Sequence, residues 1–125
     1  MILLLDAHAL VWWLDHDTTL LPAAQSAIRD PSNDVLVSAA TIWELAIKRA
    51  AGKIRLPGDL TDALDRVGIS STPVLAADGE AAAALPMHHR DPFDRMVIAQ
   101  ARRIGAVVVT RDEAFARYKV DVLPA

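Results

Sequence analysis

Asp91-Pro-Phe-Asp-Arg-Met-Val-Ile-Ala-Gln-Ala-Arg-Arg-Ile-Gly-Ala-Val-Val-Val-Thr-Arg-Asp112 contains, in one run, a helix, its stop, a strand and an acid. Asp91 is a favourable N-cap, and Pro92 suits the first helical position, where a missing N–H is no loss. Phe93, Met96, Val97, Gln100, Ala101 and Ile104 recur every three or four residues and therefore share one helix face. Gly105 closes the helix, because glycine takes the left-handed cap conformation without steric cost. Val107–Val109 is a β-branched run of strand type, and Asp112 follows Thr110 with one residue between. Helix, tight stop, short strand and terminal acid make up one unit of an α/β fold.

The same pattern extends in both directions. Residues 2–5 predict a buried strand that ends at Asp6, followed by a helix from Ala7 to about Leu14. Pro22–Arg29 predicts a helix with proline in its first turn, ending before Asp30-Pro31. Val35–Val37 predicts a strand. Ser38 caps a helix that stops at Gly52, with Lys48 and Arg49 in its last turns, where cations suit the helix dipole. Further on come a helix at Asp59–Val67 after Pro57-Gly58, a strand at Thr72–Leu75 and an alanine-rich helix at Asp78–Leu85. A loop follows at Pro86–Arg90, then a short helix at Asp112–Tyr118 and an edge strand at Val120–Leu123. Short strands alternating with helices predict a three-layer α/β/α fold around a mostly parallel sheet.

With 125 residues, 53% of them hydrophobic, and no polar linker or internal repeat, the chain reads as a single domain over 1–125. The absence of cysteine excludes disulfides, zinc–thiolate sites and thiol nucleophiles, and it suits a reducing compartment. No apolar run approaches the roughly 18 residues of a membrane span, and Met1-Ile-Leu-Leu-Leu5 has no basic flank. The expectation is a soluble, cytoplasmic protein. A net charge of −3 would argue against a nucleic-acid partner, but four of the acids have a reason of their own to be present and account for more than that excess.

Those four are Asp6, Glu44, Asp94 and Asp112. Each stands where a predicted strand stops or in a helix that opens beside one, and an α/β sheet gathers such positions at one ligand-binding edge. Each also has an ordinary explanation. Asp6 and Asp112 suit helix N-caps, Asp94 suits the positive end of a helix dipole, and Glu44 is four residues before Lys48 in the favourable orientation for an ion pair. Against this, Asp91 and Asp94 are like charges on one helix face, and Glu44 sits between Trp43 and Leu45 in an apolar segment. Carboxylates gathered at one edge repel one another, and a hard divalent cation is the usual solution.

Other residues are weaker candidates. His88-His89 lie in a loop and could touch phosphate, but without cysteine or a helical histidine spacing they make a poor zinc site. His8 suits capping or packing. The hydroxyls of Ser38 and Thr110 end strands and could serve a metal-bound water or cap a helix. Trp12-Trp13 suits the core or a subunit interface better than a base-stacking platform. No glycine-rich phosphate loop or Gly-x-Ser-x-Gly is present, which removes P-loop nucleotidases and α/β-hydrolases.

Four blocks carry a family likeness: Leu3-Leu-Leu-Asp-Ala-His-Ala-Leu10, Val37-Ser-Ala-Ala-Thr-Ile-Trp-Glu-Leu-Ala-Ile-Lys48, His88-His-Arg-Asp-Pro-Phe-Asp-Arg-Met-Val-Ile-Ala-Gln-Ala101 and Val109-Thr-Arg-Asp112. The chain resembles PIN-domain proteins over essentially its whole length, and among them the VapC-type toxins of toxin–antitoxin pairs. The resemblance implies a PIN-like α/β/α fold and a Mg²⁺- or Mn²⁺-dependent endoribonuclease whose metal-binding and catalytic acids are Asp6, Glu44, Asp94 and Asp112. It also implies an RNA substrate, a cognate antitoxin and a homodimer; the negative charge of a four-carboxylate pocket would suit a basic side chain from that antitoxin. The chain's apolar early helices, with Trp12 and Trp13, suit such a dimer. Lys48, Arg49, Lys53, Arg55, Arg90 and Arg95 are the expected phosphate contacts.

The family commonly has Thr or Ser after the first aspartate, and this chain has Ala7. That departure motivates one alternative, a catalytically weak PIN domain that binds RNA or protein. A receiver- or dehalogenase-like Mg²⁺-dependent phosphoryl-transfer domain is a second alternative. It fits less well, because Asp6 has no acid beside it and no lysine ends a late strand.

Overall fold

Leu3, Leu4 and Leu5 are fully buried although neighbours along a strand point to opposite faces. Both faces of this strand must therefore be covered. The computed structural model describes residues 1–56 and 58–125, so the turn expected at Pro57 lies partly outside the described residues. Among these residues the elements in chain order are β1 (Ile2–Leu5), α1 (Ala7–Leu14), α2 (Pro22–Arg29), β2 (Asp34–Ser38), α3 (Ala39–Ala50) and α4 (Leu60–Val67). They continue with β3 (Ser70–Thr72), α5 (Ala76–Ala84), α6 (Pro92–Ile104), β4 (Val107–Thr110), a 3₁₀ helix (Glu113–Arg117) and β5 (Asp121–Pro124).

The strands form one sheet in the order β3-β2-β1-β4-β5, and every neighbouring pair is parallel. On one face Leu3, Leu5, Val35, Val37 and Val109 pack against residues of α1, α2, α3 and α4. On the other, Leu4 and Val108 pack against Val97, Ile98 and Ala101 of α6, with Phe115 and Tyr118. This is the expected three-layer α/β/α fold, its sheet wholly rather than mostly parallel.

Local chemistry sets the element ends. The side chains of Asp6, Ser38, Asp59, Asp91 and Asp112 each accept a backbone N–H at the start of a helix. Gly105 closes α6 at φ +68°, a conformation in which any side chain would be strained.

Several boundaries differ from expectation, among them the last strand, which is Asp121–Pro124 rather than Val120–Leu123. The strand expected at Thr72–Leu75 is Ser70–Thr72, paired Leu36 to Ser70 through Ser38 to Thr72. Pro73 has no N–H to give the ladder, so pairing ends before it, and Val74 and Leu75 are left exposed. The alanine-rich helix begins at Ala76, with Asp78 inside its first turn accepting the Leu75 N–H at 2.9 Å. Arg103 forms two bonds to the same carboxylate, at 2.6 and 3.0 Å, joining α5 to α6. The last short helix is a 3₁₀ segment, Glu113–Arg117, within the expected Asp112–Tyr118.

Candidate metal centre

From β1 the chain builds outward through β2 to β3 on one side, then returns to lay β4 and β5 on the other. The strand order therefore switches between β1 and β4, and a crevice opens at their carboxyl ends. Asp6 is the residue after β1. Its N–H bonds Val109 O at 3.1 Å, which carries the ladder one step past the strand. Its side chain is 5% exposed. One carboxylate oxygen accepts the Ala9 N–H at 2.9 Å and caps α1; the other accepts the Thr110 hydroxyl at 2.5 Å. Thr110 Oγ1 in turn accepts the Asp112 N–H at 3.0 Å, so a single hydroxyl ties the ends of β1 and β4 together.

Asp112 divides its oxygens in the same way. Oδ1 accepts the Ala114 N–H at 2.9 Å, and Oδ2 lies 2.7 Å from His89 Nε2. The same imidazole nitrogen is 3.0 Å from Asp94 Oδ2. Asp94 stands in the first turn of α6, whose cap, Asp91, accepts the Phe93 N–H at 2.8 Å. Glu44 is buried on α3 and takes the Lys48 ammonium at 3.0 Å, the expected i,i+4 pair. The ordinary explanations of these acids hold alongside the functional one: capping takes one oxygen each of Asp6 and Asp112 and the Lys48 pair one of Glu44, while the second oxygens of Asp6 and Asp112 face Thr110 and His89.

Asp6, Glu44, Asp94 and Asp112 line one cleft of about 400 Å³, together with Asp91 and His8. His89, from the loop behind the cleft lining, comes together with Asp94 and Asp112, the ligand atoms of the three lying within 4.8 Å of one another. Asp6 and Glu44 act on this group through space. Asp94 is pushed up to about 7, first by burial and then by Asp91, with further contributions from Glu44 and Asp6 against the relief given by His89. Burial likewise raises Asp6, only partly offset by its bonds from Thr110 and Ala9. Asp112 is the exception. Burial pushes it up, but the Ala114 N–H and His89 outweigh that and hold it below the usual range. The site thus concentrates negative charge that its own hydrogen bonds do not balance. Oxygen donors from carboxylates are the ligand set that hard divalent cations take, so the residues present fit such an ion.

Several expectations need correction. Arg95 is no phosphate contact. It is buried, and its guanidinium donates to the carbonyls of Ala82, Ala83, Leu85, Pro86 and His89. Lys48 is paired with Glu44, and Arg49 donates to Gly58 O at 2.7 Å, whereas Lys53, Arg55 and Arg90 are exposed. Ser38 caps α3 through the Ala40 N–H, the capping role expected of it, and does not belong to the cleft lining. Trp12 and Trp13 are half-buried against the core, with Arg111 and Arg29 over their rings. Trp43, Ile47, Val74 and Leu75 are among the described residues with exposed apolar side chains. His89, a weak candidate by its spacing, reaches Asp94 and Asp112 through a loop conformation that no sequence spacing encodes.

The PIN domain family model matches residues 3–121. No curated protein sequence matches this chain. Among solved structures, VapBC2 from Rickettsia felis bound to a DNA fragment from their promoter is similar at TM-score 0.71 and 15% identity, over 98% of each chain. A toxin–antitoxin complex from Klebsiella pneumoniae gives 0.65 and 17%, over 97% of this chain and 95% of that one. FitAcB from Neisseria gonorrhoeae gives 0.59 and 23%, over 99% and 97%. At such identities the likeness speaks for the fold and leaves the activity open. The family match spans both strand-end acids of the crevice and the helices between them, and by that match this chain belongs to the PIN domain family.

Proposed function

We propose that the chain is a VapC-type toxin, an endoribonuclease dependent on Mg²⁺ or Mn²⁺, acting as one domain over residues 1–125. The observation that carries this reading is the convergence of Asp6, Glu44, Asp94 and Asp112 on one cleft, where burial and then Asp91 push Asp94 up to about 7. An acid so placed is unfavourable unless a cation balances it. Asp6, Asp94 and Asp112 would hold the ion, and Glu44 would hold it or orient the attacking water. A divalent ion supplies Lewis acidity at such a site, acidifying water and offsetting charge on a phosphodiester.

The protein's own contribution is orientation. Thr110 fixes one oxygen of Asp6, and Lys48 holds Oε2 of Glu44, leaving Oε1 for water. Exposed Lys53, Arg55 and Arg90 remain as phosphate contacts outside the acidic cleft. Ala7 lines the cleft and brings no hydroxyl, which favours the second reading, a catalytically weak binding module.

Cleavage of RNA separates the two. The first reading expects activity with Mg²⁺ or Mn²⁺ that disappears with chelator and falls at least about a hundredfold in Asp94→Asn. Undiminished cleavage by Asp94→Asn, or none by the wild type with either metal, sinks it. The similar solved structures include complexes of toxin with antitoxin, and a cognate antitoxin is the partner proposed here. An arginine from it would suit the acidic cleft, because a guanidinium pairs bidentately with carboxylates. A homodimer through the exposed Trp43 face belongs to the same proposal.

A further inference from the structure

His89 stands between two of the acids, yet its second ring nitrogen is wrong for a metal ligand. Nε2 lies 2.7 Å from Asp112 Oδ2 and 3.0 Å from Asp94 Oδ2, so three potential ligand atoms share a small volume. Nδ1 accepts the Asp91 backbone N–H at 3.1 Å. A nitrogen that accepts carries no proton, so the neutral ring holds its proton on Nε2, directed at both carboxylates. Metal-bound histidines have the opposite arrangement, with the far nitrogen donating to a carboxylate or carbonyl. For Nε2 to bind a cation, the proton would have to move to Nδ1 and face the Asp91 N–H, donor against donor.

We propose that His89 is a positioning residue of the metal centre, clamping Asp94 and Asp112 through Nε2–H, and is not itself a ligand. This rests on the metal-dependent reading above. The ring is held for the task from several directions. Its backbone N–H donates to Tyr118 Oη at 2.8 Å, and the Tyr118 hydroxyl donates to Pro86 O at 2.6 Å. Its carbonyl accepts Arg95 Nη1 at 3.0 Å, and Phe115 meets the ring edge-on with centroids 5.8 Å apart. Arg95 and Tyr118 thus fix the loop, the loop fixes His89, and His89 fixes the spacing of two acids from different elements. One shared N–H lets Asp94 and Asp112 approach before a cation arrives and sets which of their oxygens stay free for it.

Mn²⁺ binding, followed by electron paramagnetic resonance on the purified chain, tests the proposal without reference to cleavage. Pulsed spectra of the Mn²⁺-loaded wild type should show no directly bonded nitrogen. His89→Leu should weaken Mn²⁺ binding about tenfold to hundredfold, the usual cost of losing an outer-shell partner. His89→Gln, which keeps an N–H donor at similar reach, should recover most of that loss. A nitrogen coupling in the wild type that disappears in His89→Gln makes His89 a ligand and overturns the proposal. Unchanged affinity in His89→Leu overturns it too. Should His89→Leu fail to fold, the wild-type nitrogen spectrum and His89→Gln still decide. If Asp94→Asn loses Mn²⁺ while His89→Leu keeps it, the clamp is wrong and the metal-dependent reading stands. If the wild type shows no saturable Mn²⁺ binding, both fall.

Discussion

Asp94 is the residue on which the site's electrostatics turn, and its proton should be visible in stability. Burial and the neighbouring acids push it up to about 7 in the folded chain, against about 3.9 for an aspartate in an unfolded one. Between those values the native state binds the proton more tightly, so this group makes folding less favourable as pH rises through the window. Asp112 is shifted the other way; the stability it contributes is lost only as pH falls through its lowered value, below the ordinary aspartate range. In chelator, then, thermal melts should show an Asp94 contribution that falls from about pH 4 to about pH 7. Asp94→Asn should remove that contribution and raise the melting temperature at pH 8 by a few degrees. A variant with the wild-type pH slope would show that Asp94 is not the strained acid. Saturating Mg²⁺ should stabilise the wild type more than the variant, because a ligand of the native state shifts unfolding by mass action.

At the scale of elements, the turn from α5 into α6 depends on one buried cation. Arg95 lies in the first turns of α6 and reaches back to the carbonyls that end α5 and form the following loop. Carbonyls at a helix end lack helical partners further on; Ala82 O takes the Leu85 N–H at 3.4 Å, and the guanidinium fork satisfies it and several others at once. Arg95→Met should therefore cost about 3 kcal/mol in urea unfolding, since it strands several buried acceptors together. Arg95→Lys should recover little, because an ammonium lacks the planar fork. Wild-type stability in Arg95→Lys would show that charge alone suffices. The expected phosphate contact at this residue failed for a physical reason. Spacing puts Arg95 beside Asp94 in sequence, but on a helix consecutive residues face different directions, and Arg95 faces the core.

At the scale of the whole molecule, one exposed apolar patch centres on Trp43. Trp43 is 63% exposed, packs edge-on against Phe93 at 5.4 Å between centroids, and lines a hollow of about 520 Å³ with Val74, Pro92 and Met96. The hollow is beside the first turns of α3 and α6, the helices that carry Glu44 and Asp94. If two copies associate there, Trp43→Glu should shift the chain from dimer to monomer by light scattering at micromolar concentration. It should leave Mn²⁺ affinity intact, because Trp43 does not line the acid cleft. A wild type that is already monomeric removes the dimer, and a variant that stays dimeric moves the interface elsewhere.

The sequence alone determined the layers and the positions of the acids. Alternating strands and helices, caps at Asp6, Ser38, Asp91 and Asp112, and the stop at Gly105 are local chemistry, legible within a few residues. It also placed Asp6, Glu44, Asp94 and Asp112 at strand ends and helix starts, and these four line a common cleft. Their role as ligands stays a proposal. What only the tertiary structure decided depends on contacts between distant segments. Pairing with β2 and the missing N–H of Pro73 put β3 at Ser70–Thr72, where apolar content alone had favoured Val74 and Leu75. Packing turned Trp12 and Trp13 toward the core and left Trp43 outside. His89 meets Asp112 across 23 residues because Tyr118 and Arg95 shape its loop. Neither partner is near His89 in a periodic pattern, so the contact exists only once the sheet and α6 have come together.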